Sequence, residues 1–195
     1  MEKKRYLVGG NWKSNGSVIF VNDIINKHIN KMKFDEHKLD VVVAPMIIHV
    51  PPAKAMLTSN IQVGVQNVAA APKGEQTGEV KAEQIKDFGV NWAIVGHSER
   101  RQHLKETDEI VAMKIQRCQE NALNAIVCIG EQLEERESGH THDVLKVQLD
   151  ALKTSIKDWS KIVIAYEPVW AIGTGKTATP EIAQEAHEFI RKWIQ

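Results

Sequence analysis

The sequence contains only two cysteines, Cys118 and Cys128, among its 195 residues. Two cysteines provide neither the disulfide framework of a small secreted domain nor the spacing of a metal site, and they fit a reducing compartment. We therefore expect a cytoplasmic protein. An excess of charge is also lacking, because 25 Lys and Arg residues balance 25 Asp and Glu residues. A neutral balance does not indicate a nucleic-acid or membrane surface, so any anionic ligand must be held by local groups.

Long hydrophobic runs are missing as well. The first ten residues, MEKKRYLVGG, are apolar over only a few positions, which is too short for a signal peptide or a membrane span. We predict the first strand there. No linker, low-complexity tract or shift in composition divides the chain, and 43% of its residues are hydrophobic, as is typical of soluble globular proteins. We therefore expect one α/β domain over residues 1–195.

Short runs rich in Val, Ile and Ala recur along the chain. Each run is apolar on both faces, which is typical of parallel strands that are covered on both sides. The predicted strands are residues 6–11, 40–45, 62–67, 92–97, 125–130 and 162–167. Segments with helical periodicity separate them, and the first of these carries Val21, Ile25, His28 and Met32.

Helix start signals agree with this alternation. Thr107 precedes an acidic pair, and Thr179 precedes Pro180, a residue favoured in the first helical turn. The sequence thus predicts six β-strand/α-helix units in strict succession. Alternation alone allows an open doubly wound sheet or a closed eight-stranded barrel. Because the barrel needs about 250 residues, this chain would be two units short of it.

Polar side chains follow several predicted strands at the end where parallel α/β folds bind their ligands. Lys13 follows the first strand, His97 ends the fourth, residues 128–131 end the fifth, and Glu167 ends the sixth. A cation, an imidazole and a carboxylate from separate strands form an acid/base set with an electrostatic stabiliser. Taken alone, Lys13 could be a solvated charge, His97 a structural histidine and Glu167 a loop cap. Their coincidence favours a catalytic site.

The motifs around these residues resemble one enzyme family. They are VGGNWKSN (8–15), TGEV (77–80), VGHSERR (95–101), ETDEIVAMK (106–114), CIGEQLEERESG (128–139) and AYEPVWAIGTGKTATPE (165–181). In this order they resemble triosephosphate isomerases, which interconvert dihydroxyacetone phosphate and glyceraldehyde 3-phosphate in glycolysis and gluconeogenesis. The resemblance implies a TIM-type (β/α)8 barrel, of which this chain contains about six units.

The resemblance also implies roles for the residues at the strand ends. Glu167 resembles the family's general base, which moves a proton between neighbouring carbons through an enediolate. His97 resembles its electrophile, and this family is itself the standard example of a histidine kept neutral by a helix N-terminus. Ser98 would be the first residue of that helix and would support the catalytic side chains without contacting the substrate.

Two further residues match the family's substrate-binding groups. Lys13 and Asn11 resemble the side chains that hold the substrate and stabilise the enediolate oxygens. Glu99 resembles a supporting partner of Lys13, although a purely structural ion pair explains it nearly as well. No cofactor and no metal are expected.

The segment after Glu167 resembles the family's lid. A lid keeps the base out of water and prevents the enediolate from losing its phosphate. The hinges would be residues 168–170 and 176–178, on either side of a rigid tip at 171–175. The lid residues that we select are Pro168, Trp170, Gly173, Gly175, Lys176 and Thr177, with the Gly173 amide binding the phosphate.

Two sequence patterns resemble a phosphate-binding loop and a metal site, but we assign neither function to them. GTGKT (173–177) lacks the earlier glycine of a phosphate-binding P-loop, because Trp170 stands at that position. His140 and His142, with Asp143, lie in a charged stretch before a helix, so we interpret them as solvated rather than as metal ligands.

The sequence departs from the family pattern in two places that bear on the polypeptides with which this chain would associate. Glu75 and Gln76 stand where a small residue and an aromatic are expected, before Thr77, the tip of the family's dimer loop. The chain also ends after its sixth helix, without two strand ends that bind phosphate in the family. We therefore expect a homodimer or a second polypeptide that completes the barrel. Alone, the chain should be nearly inactive on its triose phosphate substrate. The alternative is a non-catalytic interaction module that pairs through open strand edges.

Overall fold

The computed structural model describes residues 5–71, 74, 76–172 and 174–195. Strands and helices alternate throughout. The strands are β1 Tyr6–Asn11, β2 Leu39–Ala44, β3 Ile61–Val65, β4 Trp92–Val95, β5 Asn124–Ile129 and β6 Ile162–Tyr166. The helices are α1 Val18–Lys27, α2 Val50–Met56, α3 Ala82–Asp87, α4 Ser98–His103, α5 Asp108–Glu120, α6 Leu133–Glu137, α7 Thr141–Lys153 and α8 Pro180–Ile194. All six strands lie within two residues of their predicted bounds.

The six strands form one curled parallel sheet, a half-barrel in which each strand pairs with the next along the chain. A doubly wound sheet reverses its strand order at a switch point, and this sheet does not. The pairing therefore confirms the prediction of an incomplete TIM-type barrel and excludes the open alternative. Within the described residues, β1 pairs only with β2 and β6 only with β5.

The main core lies between the sheet and its helices. Val41 and Val43 of β2 point into it, and Leu145 and Leu149 of α7 are almost fully buried there. Alternate strand residues face the other side of the sheet, where Ala44, Ile94 and Cys128 form a smaller cluster. This alternation explains why the strands are apolar on both faces.

Two predicted helix starts are confirmed, and one predicted helical face is wrong in part. The Thr107 and Thr179 hydroxyls accept hydrogen bonds from backbone amides of α5 and α8. Val21 and Ile25 are buried on α1 as predicted, but α1 ends at Lys27. His28 and Met32 lie beyond the helix and are exposed, because a 3₁₀ turn at Ile29–Lys31 directs Ile29 into the core instead.

The described part of the chain contains no helix that is both long enough and apolar enough to cross a membrane.

Candidate active site

The predicted catalytic residues come from three strands whose carboxyl ends meet at one edge of the sheet. Lys13 lies two residues beyond β1, His97 two residues beyond β4, and Glu167 directly after β6. Because all six strands are parallel, these positions share the edge at which such folds bind ligands. The structure brings His97 and Glu167 into direct contact.

A hydrogen-bonded pair lies at the centre of this edge. Nε2 of His97 is 2.8 Å from Oε1 of Glu167, and the Ser98 amide donates to Oε2 of the same carboxylate at 2.9 Å. Nδ1 of His97 accepts from the Glu99 amide at 3.2 Å. Because a backbone N–H points at Nδ1, Nε2 is the ring nitrogen that can donate to Glu167. Only 10% of the His97 side chain and 16% of the Glu167 side chain are exposed.

The turn from β4 into α4 produces this geometry. Gly96 has a φ of +70°, a conformation that favours glycine. A Cβ atom at this position would lie 2.9 Å from Cγ1 of Val111, which is too close for a side chain. The chain therefore passes directly against α5, and α4 begins at Ser98, as predicted.

Lys13 forms a second charged pair beside the first. Its Nζ is 2.7 Å from Oε1 of Glu99, and the hydrogen bond from Lys13 lowers the pKa of Glu99. The Lys13 backbone has a φ of +51°, which is strained for a residue with a side chain. Two hydrogen bonds hold it there: its amide donates to Oδ1 of Asn11 at 2.9 Å, and its carbonyl accepts from Nε2 of Gln66 at 2.8 Å. Asn11 thus positions the cation.

The start of the predicted lid is anchored to a buried carboxylate. Residues Val169–Ala171 form a 3₁₀ turn. Nε1 of the buried Trp170 donates to Oε1 of Glu131 at 2.9 Å, and the Tyr166 hydroxyl donates to the same atom at 2.9 Å. Glu131 is fully buried. Its carboxylate therefore joins the end of β6 to the first hinge of the predicted lid.

A local turn follows in the described part of the predicted lid. The Thr174 hydroxyl donates to the Trp170 carbonyl at 2.6 Å and accepts from the Lys176 amide. Residues 174–177 are exposed, and Gly175 has a positive φ of 77°. Gly173, which we predicted to bind phosphate, lies outside the described residues.

The predicted dimer loop is described only in part. Thr77 lies in an exposed turn, and Gly78 lines a groove together with Ile47. Glu75, one of the two departures from the family, lies outside the described residues. Elsewhere, the described residues contain no cluster of three or more metal-ligating side chains.

Comparisons with known proteins identify the family. The family model described as "Triosephosphate isomerase" matches residues 6–195. The chain belongs to the triosephosphate isomerase family. It is 46% identical over 193 residues to a triosephosphate isomerase of Paracoccidioides lutzii, covering 98% of this chain and 77% of that protein. It is 45% identical to the cytosolic enzyme of Oryza sativa subsp. japonica, covering 98% and 76%, and 44% identical to the chloroplastic enzyme of Fragaria ananassa, covering 98% and 60%.

Three residues of this family member escaped the sequence analysis as parts of the site. Glu131 is predicted only as a strand end, although it accepts a hydrogen bond from Trp170 in the first hinge of the predicted lid. Gln66 and Gln148 were not selected, although each hydrogen-bonds backbone atoms beside the predicted catalytic groups. A glutamine in a helix or after a strand carries no distinctive sequence signal, so only the fold reveals these roles.

Neither cysteine of this family member has the properties of a nucleophile. Burial raises the pKa of Cys118 to about 12. Burial, reinforced by the negative charge of Glu167, raises the pKa of Cys128 well above its ordinary value. Both thiols therefore remain protonated.

Proposed function

We propose that this chain interconverts dihydroxyacetone phosphate and glyceraldehyde 3-phosphate, with Glu167 as the general base. The observation that carries the proposal is the 2.8 Å contact between Nε2 of His97 and the Glu167 carboxylate, at the strand edge that also holds Lys13. The family membership supplies the substrate class, because the relatives are named for it.

Each group has a distinct step in this reaction. Glu167 takes a proton from the carbon beside the substrate carbonyl and returns it to the neighbouring carbon. The Nε2 proton of His97 hydrogen-bonds the carbonyl oxygen as negative charge develops on it, and the Lys13 cation stabilises the same charge. Glu167 now accepts from His97 and Ser98, so it must turn from these donors toward the substrate. The donors keep it ordered until then.

The lid completes the chemistry by excluding water. A carboxylate abstracts a weakly acidic proton better when it is not solvated, and a trapped enediolate keeps its phosphate. We propose that Gly173 contributes an amide to that phosphate when the lid is closed. The bond between Trp170 and Glu131 gives the first hinge a fixed point from which the exposed residues 174–177 can move.

Shortening the base by one methylene tests this function. Glu167→Asp should retract the carboxylate by roughly 1 Å and lower turnover about 100-fold, with little change in KM, because proton transfer depends on the reacting distance. The matched control is Glu188→Asp, the same change at an exposed residue of α8 that pairs only with Lys192. Turnover of glyceraldehyde 3-phosphate is measured for the chain alone and with a polypeptide that supplies two further βα units. No isomerisation in either mixture, or unchanged turnover in Glu167→Asp, would contradict the proposal.

We further propose that the chain works in an assembly, either as a homodimer through the Thr77 loop or with a polypeptide that completes the barrel. In support, β1 and β6 are each paired on one side only within the described residues, and Val8 of β1 is 49% exposed. Ile47 and Ile48 are also exposed, and Ile47 shares the groove with Gly78 beside the Thr77 turn. Apolar strands with one neighbouring strand among the described residues, such as β1 at Val8, favour association.

Light scattering of the purified chain at micromolar concentration measures the assembly. We expect a mass above that of one 21.9 kDa chain, and amide exchange in β1 and β6 that slows as concentration rises. A monomer with slow exchange in both strands would contradict the assembly, because the edges would then be protected without a partner.

The same edges favour a second candidate function, a non-catalytic module that binds another polypeptide. Phosphoglycolate, an analogue of the enediolate, separates the two functions. Micromolar binding supports the isomerase, whereas no binding together with a stable protein partner supports the module.

For location we propose the cytosol, supported by the cytosolic rice relative, although chloroplastic relatives are equally similar.

A further inference from the structure

One glutamine side chain holds the backbone at the end of β5. Oε1 of Gln148 accepts from the Gly130 amide at 2.9 Å, and Nε2 of Gln148 donates to the Gly130 carbonyl at 3.1 Å. Both backbone groups of one residue are thus bound by one planar amide. Gln148 lies on α7, which is fixed in the core by Leu145, Leu149 and Leu152. We call these two hydrogen bonds the Gln148 clamp. The helix that carries Gln148 is packed firmly in the core.

The residues on either side of Gly130 carry the segment that contains Glu167. The Glu167 amide donates to the Ile129 carbonyl at 2.8 Å, and the Val169 amide donates to the Glu131 carbonyl at 3.2 Å. Gly130 also lies directly against Glu167, since a Cβ atom on it would be 1.7 Å from the Glu167 carbonyl oxygen. A movement of Gly130 must therefore move the backbone of Glu167.

Part of the surface of this segment faces open space. Gln148, Gly130 and Glu167 all line one cavity, together with polar residues such as Gln102 and Gln132. The two hydrogen bonds from Gln148 therefore add to the close packing of Gly130 against the Glu167 backbone in resisting displacement of the segment into this cavity.

We propose that Gln148 is a positioning residue: by clamping Gly130, it fixes the backbone that places the Glu167 carboxylate. The inference rests on the proposed role of Glu167 as the base. Gln148 touches the base only through Gly130, so it should affect turnover rather than substrate binding. Positioning of a base within about 0.5 Å is the kind of precision that catalysis requires.

Kinetics of Gln148→Met test the proposal. Methionine keeps the length of the side chain and removes both hydrogen bonds, and we expect turnover to fall about 10- to 100-fold while KM stays within about twofold. The matched control is Gln116→Met on α5, which loses a single bond to Glu120 on its own helix and should not change turnover. Unchanged turnover in Gln148→Met, or an equal loss in the control, would overturn the proposal.

Amide exchange in the 195-residue chain provides a second readout that a general structural role would not produce. In Gln148→Met, the amides of Gly130, Glu167 and Val169 should exchange at least about tenfold faster, while those of β2 keep their rates. A uniform increase across all strands would indicate global destabilisation and would overturn the positioning role. If Glu167→Asp leaves turnover unchanged, the proposed function fails. If Glu167→Asp lowers turnover and Gln148→Met changes neither turnover nor local exchange, only the positioning role fails.

Discussion

Replacing Lys114 with methionine should lower the free energy of unfolding by about 3–5 kcal/mol, because it leaves a buried carboxylate short of a partner. Nζ of Lys114 donates to Oε1 of Glu106 and, at 2.6 Å, to Oδ1 of Asn67. The Lys114 and Glu106 side chains are only 4% and 6% exposed. Methionine keeps the apolar stem but removes the charge and both hydrogen bonds. Urea denaturation followed by circular dichroism measures the loss.

The control removes a lysine from an exposed ion pair. Lys146→Met breaks the pair with Asp150 on the surface of α7, where both side chains are about half exposed, and should change stability by about 0–1 kcal/mol. The double variant Glu106→Gln/Lys114→Met should regain part of the loss, since it no longer buries a carboxylate that has kept only Arg100 as its cationic partner. A loss below about 1 kcal/mol in Lys114→Met would contradict this account of the buried pair.

The pH dependence of the free energy of unfolding shows that the same interaction is stabilising. Burial by itself would raise the pKa of Glu106, but hydrogen bonds and charges from Lys114 and Arg100 outweigh it, and the pKa is lowered. The folded state therefore binds this proton more weakly than the unfolded state. The stabilisation is complete above the ordinary glutamate pKa of about 4.3 and is lost as pH falls through the lowered value. As the pH falls, the stabilisation from ionised Glu106 should begin to disappear at a higher pH in Lys114→Met than in the unsubstituted chain.

Much of the fold could be predicted because parallel strands have a plain sequence signature. Runs such as residues 40–45 and 125–130 are apolar on both faces, and the structure covers both faces of each. The closure of the sheet could not be predicted in the same way. It depends on which strand pairs with which, and alternation of strands and helices is the same in an open sheet and in a barrel.

That His97 and Glu167 lie at one site also follows from simple geometry. Each residue lies just beyond the carboxyl end of a strand, and these ends lie at one edge of a parallel sheet. The strain at Lys13 did not follow, because a positive φ is expected at glycine rather than lysine. It is held by Asn11 and by Gln66, which lies 53 positions along the chain from Lys13.

Local periodicity was least reliable where tertiary contacts decide the outcome. The pattern Val21, Ile25, His28 and Met32 predicted a longer α1, but the helix ends at Lys27 because Ile29 fills the core. Gln148 is a residue whose role no periodicity indicates. It flanks the buried face of α7, and its amide binds Gly130 because β5 ends close to this helix.

Replacing Gly130 with alanine should destabilise the chain strongly. The new methyl carbon would lie 1.7 Å from the Glu167 carbonyl oxygen and 2.7 Å from its carbonyl carbon. Both atoms are backbone, so no side-chain rotation relieves the clash, and the ends of β5 and β6 must separate. That separation breaks the bond between the Glu167 amide and the Ile129 carbonyl. We expect a loss of about 4 kcal/mol or more in the free energy of unfolding, measured by urea denaturation.

The control for Gly130→Ala is Gly9→Ala in β1. A Cβ atom on Gly9 would lie 3.8 Å from Cδ1 of Ile126, an ordinary van der Waals distance, and the Gly9 backbone is not in the left-handed region. Stability should therefore change by less than about 1 kcal/mol and could rise, since alanine restricts the unfolded chain. Because typical domains are stable by only about 5–15 kcal/mol, Gly130→Ala should be largely unfolded in moderate urea that leaves Gly9→Ala folded. Equal denaturation midpoints for the two variants would show that β5 and β6 are not packed as closely at Gly130 as the structure places them.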